Sequence, residues 1–191
     1  EKKPFKNIKL LDIGCGGGLL SEPMAKLGAN VTGLDVVEKN IKTASTHAKN
    51  QGLKIKYIHS TVEKISEKDE KFDVILNMEV IEHVSDVNLF INSCNKILSP
   101  NGIMIFASLN RTLISYGLAI IGVEYILGWL PKGTHDWSKF ITPDELKILF
   151  SSNGLKIDEI IGMKYNPLFD SWKRSEDLSV NYLGLSSKIN S

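Results

Sequence analysis

Short apolar runs alternate with amphipathic stretches along most of the chain. Residues 8–13 form an apolar run that ends in glycines, residues 19–27 carry apolar side chains at helical spacing, and residues 30–35 are again strand-like. Together they predict one βαβ unit. The rhythm continues with a helix over 38–50, strands at 55–59 and 72–77, a helix over 87–98 and a strand at 103–108. Thr142-Pro143-Asp144-Glu145 offers an N-cap, a proline at the first helical position and a capping-box glutamate, so a helix should run to about residue 152. Two last strand-like stretches, 155–161 and 180–186, have no helical pattern between them and should form an antiparallel hairpin. The predicted fold is α/β: a doubly wound, mostly parallel, seven-stranded sheet of Rossmann-like type, ending in that hairpin.

A chain of 191 residues suffices for one sizeable core, and a single domain over 1–191 is expected, interrupted by an apolar insertion at about 112–133. The formal charge of +1 leaves no broad cationic surface to neutralise a nucleic-acid backbone, so a nucleic-acid substrate is not expected. Cys15 and Cys94 are the only thiols and lack a C-x-x-C spacing, which fits a reducing compartment. The sequence opens with Glu-Lys-Lys, without a methionine or a secretory pattern. This is the expectation for a chain trimmed at its N-terminus, with any cap lost.

Asp12-Ile13-Gly14-Cys15-Gly16-Gly17-Gly18 falls where the first strand turns into the first helix, and glycines there let the backbone approach a ligand. A dinucleotide fingerprint would place a small residue at position 19, which is leucine; the pattern is D-x-G-x-G-x-G instead. An acidic residue beside the loop is tolerable for S-adenosylmethionine, which carries a sulfonium and no phosphates. Asp35, about twenty residues on at the end of the second strand, is placed to accept from ribose hydroxyls. Gly14, Gly16, Asp12 and Asp35 are therefore candidate cofactor-binding residues. Met78, after the fourth strand, could reach the same crevice or pack in the core.

Glu79, Glu82 and His83 follow the fourth strand, and helical spacing would bring all three to one face. Three readings stay open on the residues alone. The cluster could hold a divalent ion that lowers the pKa of a hydroxyl. His83 could be a metal-free general base. Or the acids merely suit a helix N-terminus and His83 packs. His59 and His135 have weaker claims.

From 113 to 130 nearly every residue is apolar or glycine, and Glu124 is the sole charge. A membrane-spanning helix would strand the last β-strands across the bilayer, so a lid over the carboxyl ends of the strands is expected, with Gly117, Gly122 and Gly128 permitting breaks. Tyr116, Tyr125 and Trp129 suit a membrane interface, although packing on the core or in a dimer contact is the alternative.

The glycine loop, residues 32–35, Asn77 to Val84, Leu109-Asn110-Arg111, residues 124–127, residues 131–136 and Tyr165-Asn166-Pro167 together resemble the ubiquinone-biosynthesis O-methyltransferases, a branch of the class I S-adenosylmethionine-dependent enzymes. The resemblance implies cofactor binding at Gly14, Asp35 and Met78, with one further arginine upstream of the loop that has no counterpart here. It implies magnesium at Glu79, Glu82 and His83, and methyl transfer to a ring hydroxyl of a polyprenylated catechol or hydroquinone. It also implies a membrane surface as partner through the lid and a complex with other enzymes of the pathway. The expected location is the bacterial cytoplasm, peripheral to the inner membrane, or the mitochondrial matrix face. A methyltransferase acting on a nitrogen or carbon acceptor, with His83 as base and no metal, is the alternative.

Overall fold

Five consecutive parallel strands set the frame of the computed structural model, which describes residues 3–117, 136–166 and 169–189. They are β1 (Lys9–Ile13), β2 (Asn30–Asp35), β3 (Lys56–His59), β4 (Phe72–Met78) and β5 (Leu98–Leu109). Helices α1 (Ser21–Lys26), α2 (Glu38–Asn50), α3 (Val62–Ser66) and α4 (Val87–Ile97) join them; α5 (Leu113–Ser115) and α6 (Pro143–Ser152) follow. The chain closes with β6 (Leu155–Asn166), β7 (Ser171–Ser175) and β8 (Asn181–Lys188). The order across the sheet is β3-β2-β1-β4-β5-β8-β6-β7. The direction of winding reverses between β1 and β4, which opens a crevice beyond their carboxyl ends.

The expected C-terminal pair is present: β6 and β8 run antiparallel, with Ile161 opposite Leu183. β8 also pairs antiparallel with β5, so it lies inside the sheet. The described sheet has eight strands where seven were expected, and the addition is β7, an edge strand paired to β6 alone. Its Ser-Trp-Lys-Arg-Ser sequence shows no apolar alternation because neither face is buried. The first helix begins at Ser21 rather than residue 19, and Leu19 is left 86% exposed.

The pleat sorts the parallel strands onto two apolar layers. Leu11, Ile13, Ile75 and Phe106 face the larger layer, with Phe90, Ile91, Cys94 and Ile97 of α4 and Leu146 and Phe150 of α6. Phe106 and Phe150 meet edge to face, ring centres 5.0 Å apart. Leu10, Val31, Leu76 and the half-buried Met24 of α1 form the smaller layer. Two caps fix the second helical pair: Asp86 accepts from the Leu89 N–H at 2.9 Å, and Thr142 and Glu145 form the expected capping box. Of the apolar insertion, Leu113, Ile114 and Tyr116 are described and exposed, whereas residues 118–135, including Gly122, Glu124, Tyr125, Gly128, Trp129 and His135, lie outside the described residues.

Candidate active site

The crevice predicted by the winding reversal is a cavity of about 380 Å3 at the carboxyl ends of β1, β2, β3 and β4. Gly14 and Asp35 line it on one side, Glu79, Val80 and His83 on another.

Gly14 follows β1 at φ 68°, a conformation that costs glycine nothing. A Cβ there would stand 2.6 Å from Cγ2 of Val80, so the absence of a side chain lets the β4 loop close on the glycine loop. Gly16, at φ 53°, turns its N–H onto Asp35 Oδ2 at 2.9 Å. The other carboxylate oxygen accepts from the Val37 N–H at 2.7 Å, and the Asn40 amide lies 3.3 Å from both. Asp35 is thus buried, fixed from two loops and aimed at the cavity edge. The Cys15 N–H donates to the Leu34 carbonyl at 2.9 Å, carrying the β1–β2 register into the loop.

Asp12 and Met78 do not line this cavity. Side chains alternate along a strand, so Ile13 faces the cavity while Asp12 points to the opposite layer, where it accepts from Ser21 Oγ at 2.6 Å. Burial pushes its carboxyl up to about 6. Met78 packs, half-buried, against the Leu10, Val31 and Leu76 layer. Their side chains are thus engaged elsewhere: Asp12 braces α1, and the Met78 side chain packs in the smaller apolar layer at the end of β4.

The structure also separates the Glu79, Glu82 and His83 cluster. Glu79 adopts a left-handed backbone (φ 56°), its N–H donating to the Ala107 carbonyl at 2.9 Å, and only Ile81–His83 make a helical turn, of 3-10 type. The expected helical spacing therefore does not apply. Glu79 and His83 are exposed and line the cavity, whereas Glu82 is buried and accepts from Ser108 Oγ of β5 at 3.0 Å. Among the described residues no three His, Cys, Asp or Glu side chains are grouped as a metal site. The arrangement does not fit an ion held jointly by Glu79, Glu82 and His83.

Several lining residues were not singled out in the sequence. Ser60 to Glu63 close the β3 side, with Thr61 capping α3 through the Lys64 N–H, and Phe90 forms an apolar wall. A hydroxyl residue directly after a strand is a helix-start signal, and Thr61 carries it. His59, given only a weak claim, donates from Nε2 to the Val36 carbonyl at 3.0 Å and so supports a cavity residue from outside.

Comparison with known proteins agrees with this geometry. A methyltransferase-domain family model matches residues 11–106. A Bartonella tribocorum protein named ubiquinone biosynthesis O-methyltransferase is 58% identical over 185 residues, covering 97% of this chain and 75% of its own length. A protein of the same name from Pelagibacter ubique is 56% identical, covering 95% and 75%. Among solved structures, a SAM-dependent methyltransferase from Methanosarcina mazei superposes with a TM-score of 0.73 at 20% identity, covering 97% of this chain and 94% of that one. Magnesium protoporphyrin IX methyltransferase from Synechocystis, solved with bound SAH, gives 0.70 at 19%, covering 97% and 76%. At that identity the structures speak for the fold, and the sequence relatives settle the rest: the chain belongs to the ubiquinone biosynthesis O-methyltransferases, a family of S-adenosylmethionine-dependent methyltransferases.

Proposed function

We propose that this chain moves the methyl of S-adenosylmethionine to a ring hydroxyl of a polyprenylated catechol or hydroquinone. The observation that carries the reading is one cavity joining Gly14 and Asp35 to Glu79 and His83. The residues fit the cofactor. The loop at Gly14 has no side chain to block close approach, and the Asp35 carboxylate suits a ribose diol that would displace the long Asn40 contacts. When bound, S-adenosylmethionine supplies an electrophilic methyl on a sulfonium, which is released as a neutral thioether once the acceptor oxygen has taken the methyl. His83 takes the hydroxyl proton, a task an imidazole performs near neutral pH. Glu79, on the same wall, orients the ring through a second hydroxyl. The cavity walls hold the acceptor oxygen against the methyl, which removes the entropy of encounter.

Magnesium has no step in this scheme because Glu82 is directed to Ser108 rather than to the cavity. A polyprenylated acceptor resides in a membrane, so the reading places the protein at a membrane face, in a bacterial cytoplasm or a mitochondrial matrix. The exposed Leu113, Ile114 and Tyr116 support such a contact; among the described residues no helix is long and apolar enough to cross a bilayer.

The test is transfer of labelled methyl to a short-chain demethylubiquinol analogue, with EDTA and then with added magnesium. Turnover indifferent to EDTA supports the scheme with His83 as base. Turnover lost on chelation and restored by magnesium keeps the acceptor and overturns the metal-free step. Demonstrated binding of S-adenosylmethionine without transfer to any quinol overturns the acceptor and points to a nitrogen or carbon nucleophile.

A further inference from the structure

We infer that a second cavity, beside the first, seats the isoprenoid tail of the acceptor; the inference rests on the acceptor class proposed above. This cavity encloses about 780 Å3 and shares Val84 and Ser85 with the cofactor cavity, so a two-residue wall divides them. It lies between the loop after β4, the end of β5 and helix α6.

Helix α6 presents two apolar faces where a surface helix needs only one. Leu146 and Phe150 are fully buried in the core. Ile148 and Leu149 stand on another face with Glu145, at the i, i+3 and i+4 positions, and all three line the second cavity. Ile148 is 70% exposed and contributes nothing to the core, and the half-buried Leu149 packs against the core with part of its side chain. Ile81, Val84, Val87 and Ile141 line it as well. A lone exposed isoleucine is ordinary; six aliphatic side chains around one cavity that adjoins the reaction site form a hydrocarbon-binding groove.

The charge pattern selects the ligand. At the rim the Arg111 guanidinium is committed to Glu145 and to the Phe140 carbonyl, and Glu145 also caps α6. The pair neutralises itself, Glu82 is buried against Ser108, and the exposed Lys139 is the remaining charged side chain of the lining, so the aliphatic stretch between them suits an uncharged chain. The Arg111 staple also ties the end of β5 to the first turn of α6, which holds the Ile148 face at a fixed distance from Val84 and Val87. A ring placed at Glu79 and His83 would send a substituent over Val84 and Ser85 into this groove. Its branched aliphatic walls match a linear chain of branched five-carbon units.

Ile148→Glu is the discriminating variant because the site is exposed and tolerates charge, with Lys147→Glu, on the same helix but outside the groove, as the control. The readout is the ratio of kcat/KM for a long-tailed to a tail-less demethylubiquinol. The expected result is a fall of about ten-fold in that ratio for Ile148→Glu, with no fall for Lys147→Glu. An unchanged ratio, or an equal fall in both variants, overturns the groove. Should the parent not turn over quinols at all, a diazirine-bearing polyprenylphenol crosslinked to the protein gives an answer independent of transfer. Label on the α6 peptide or on residues 84–87 supports the groove, and label confined elsewhere overturns it.

Discussion

Asp35 Oδ2 accepts the N–H of Gly16 at 2.9 Å, so the residue that faces the proposed ribose site also fixes the loop that faces the proposed amino-acid end of the cofactor. Asp35→Asn keeps the shape but offers one acceptor oxygen where two are in use. Affinity for S-adenosylhomocysteine, measured by calorimetry, should fall about ten-fold or more. Unaltered affinity would remove Asp35 from the site.

Gly14 faces Val80 so closely that a side chain on it would collide. Gly14→Ala should cost about 1–3 kcal/mol in urea unfolding, from the positive φ and from collision with the Val80 side chain. Adding Val80→Ala should return the collision part and leave the backbone part. A double variant no better than Gly14→Ala alone would show that Val80 does not limit the loop.

Removal of the cavity imidazole tests the proton route. His83→Ala should lower kcat about 100-fold, with the acidic limb of the pH–rate profile lost and the affinity for S-adenosylhomocysteine much less affected. A profile that keeps its shape would assign the proton to another acceptor.

Asp12 gives the protein a pH dependence opposite to that of carboxylates held low by a charged partner. Its folded-state value of about 6 lies above the ordinary 3.8, because burial disfavours the charge. Between those values the folded state holds a proton that the unfolded chain gives up. Stability from this group is therefore present below 3.8 and lost as pH rises to 6, by at most about 3 kcal/mol. Asp12→Asn should gain stability over the parent at about pH 7.5 and lose that advantage at about pH 4.5 in urea unfolding. A constant difference between the two proteins would place the titration elsewhere.

Most of the sheet could be read from the chain because parallel strands buried on both faces leave short apolar runs, as in Val74-Ile75-Leu76. β7 could not, since an exposed edge strand has no core to impose a pattern. The placement of Gly14, Gly16 and Asp35 was legible because strand ends and tight turns fix it. The side-chain directions of Met78 and Asp12 were not legible, because the two-residue pleat sends neighbours to opposite faces. The Glu79 to His83 segment was misread because one left-handed residue, Glu79, breaks the helical phase on which the cluster depended.

The position of β8 between β5 and β6 governs how the protein must be made. A chain leaving the ribosome exposes β5 and β6 as two open edges until Asn181 onward has emerged, and only that segment can join them. The order of synthesis thus runs against the order of assembly. A chain ending before Asn181 would retain the whole cofactor cavity in its sequence yet carry two unprotected strand edges, the condition that favours aggregation over function.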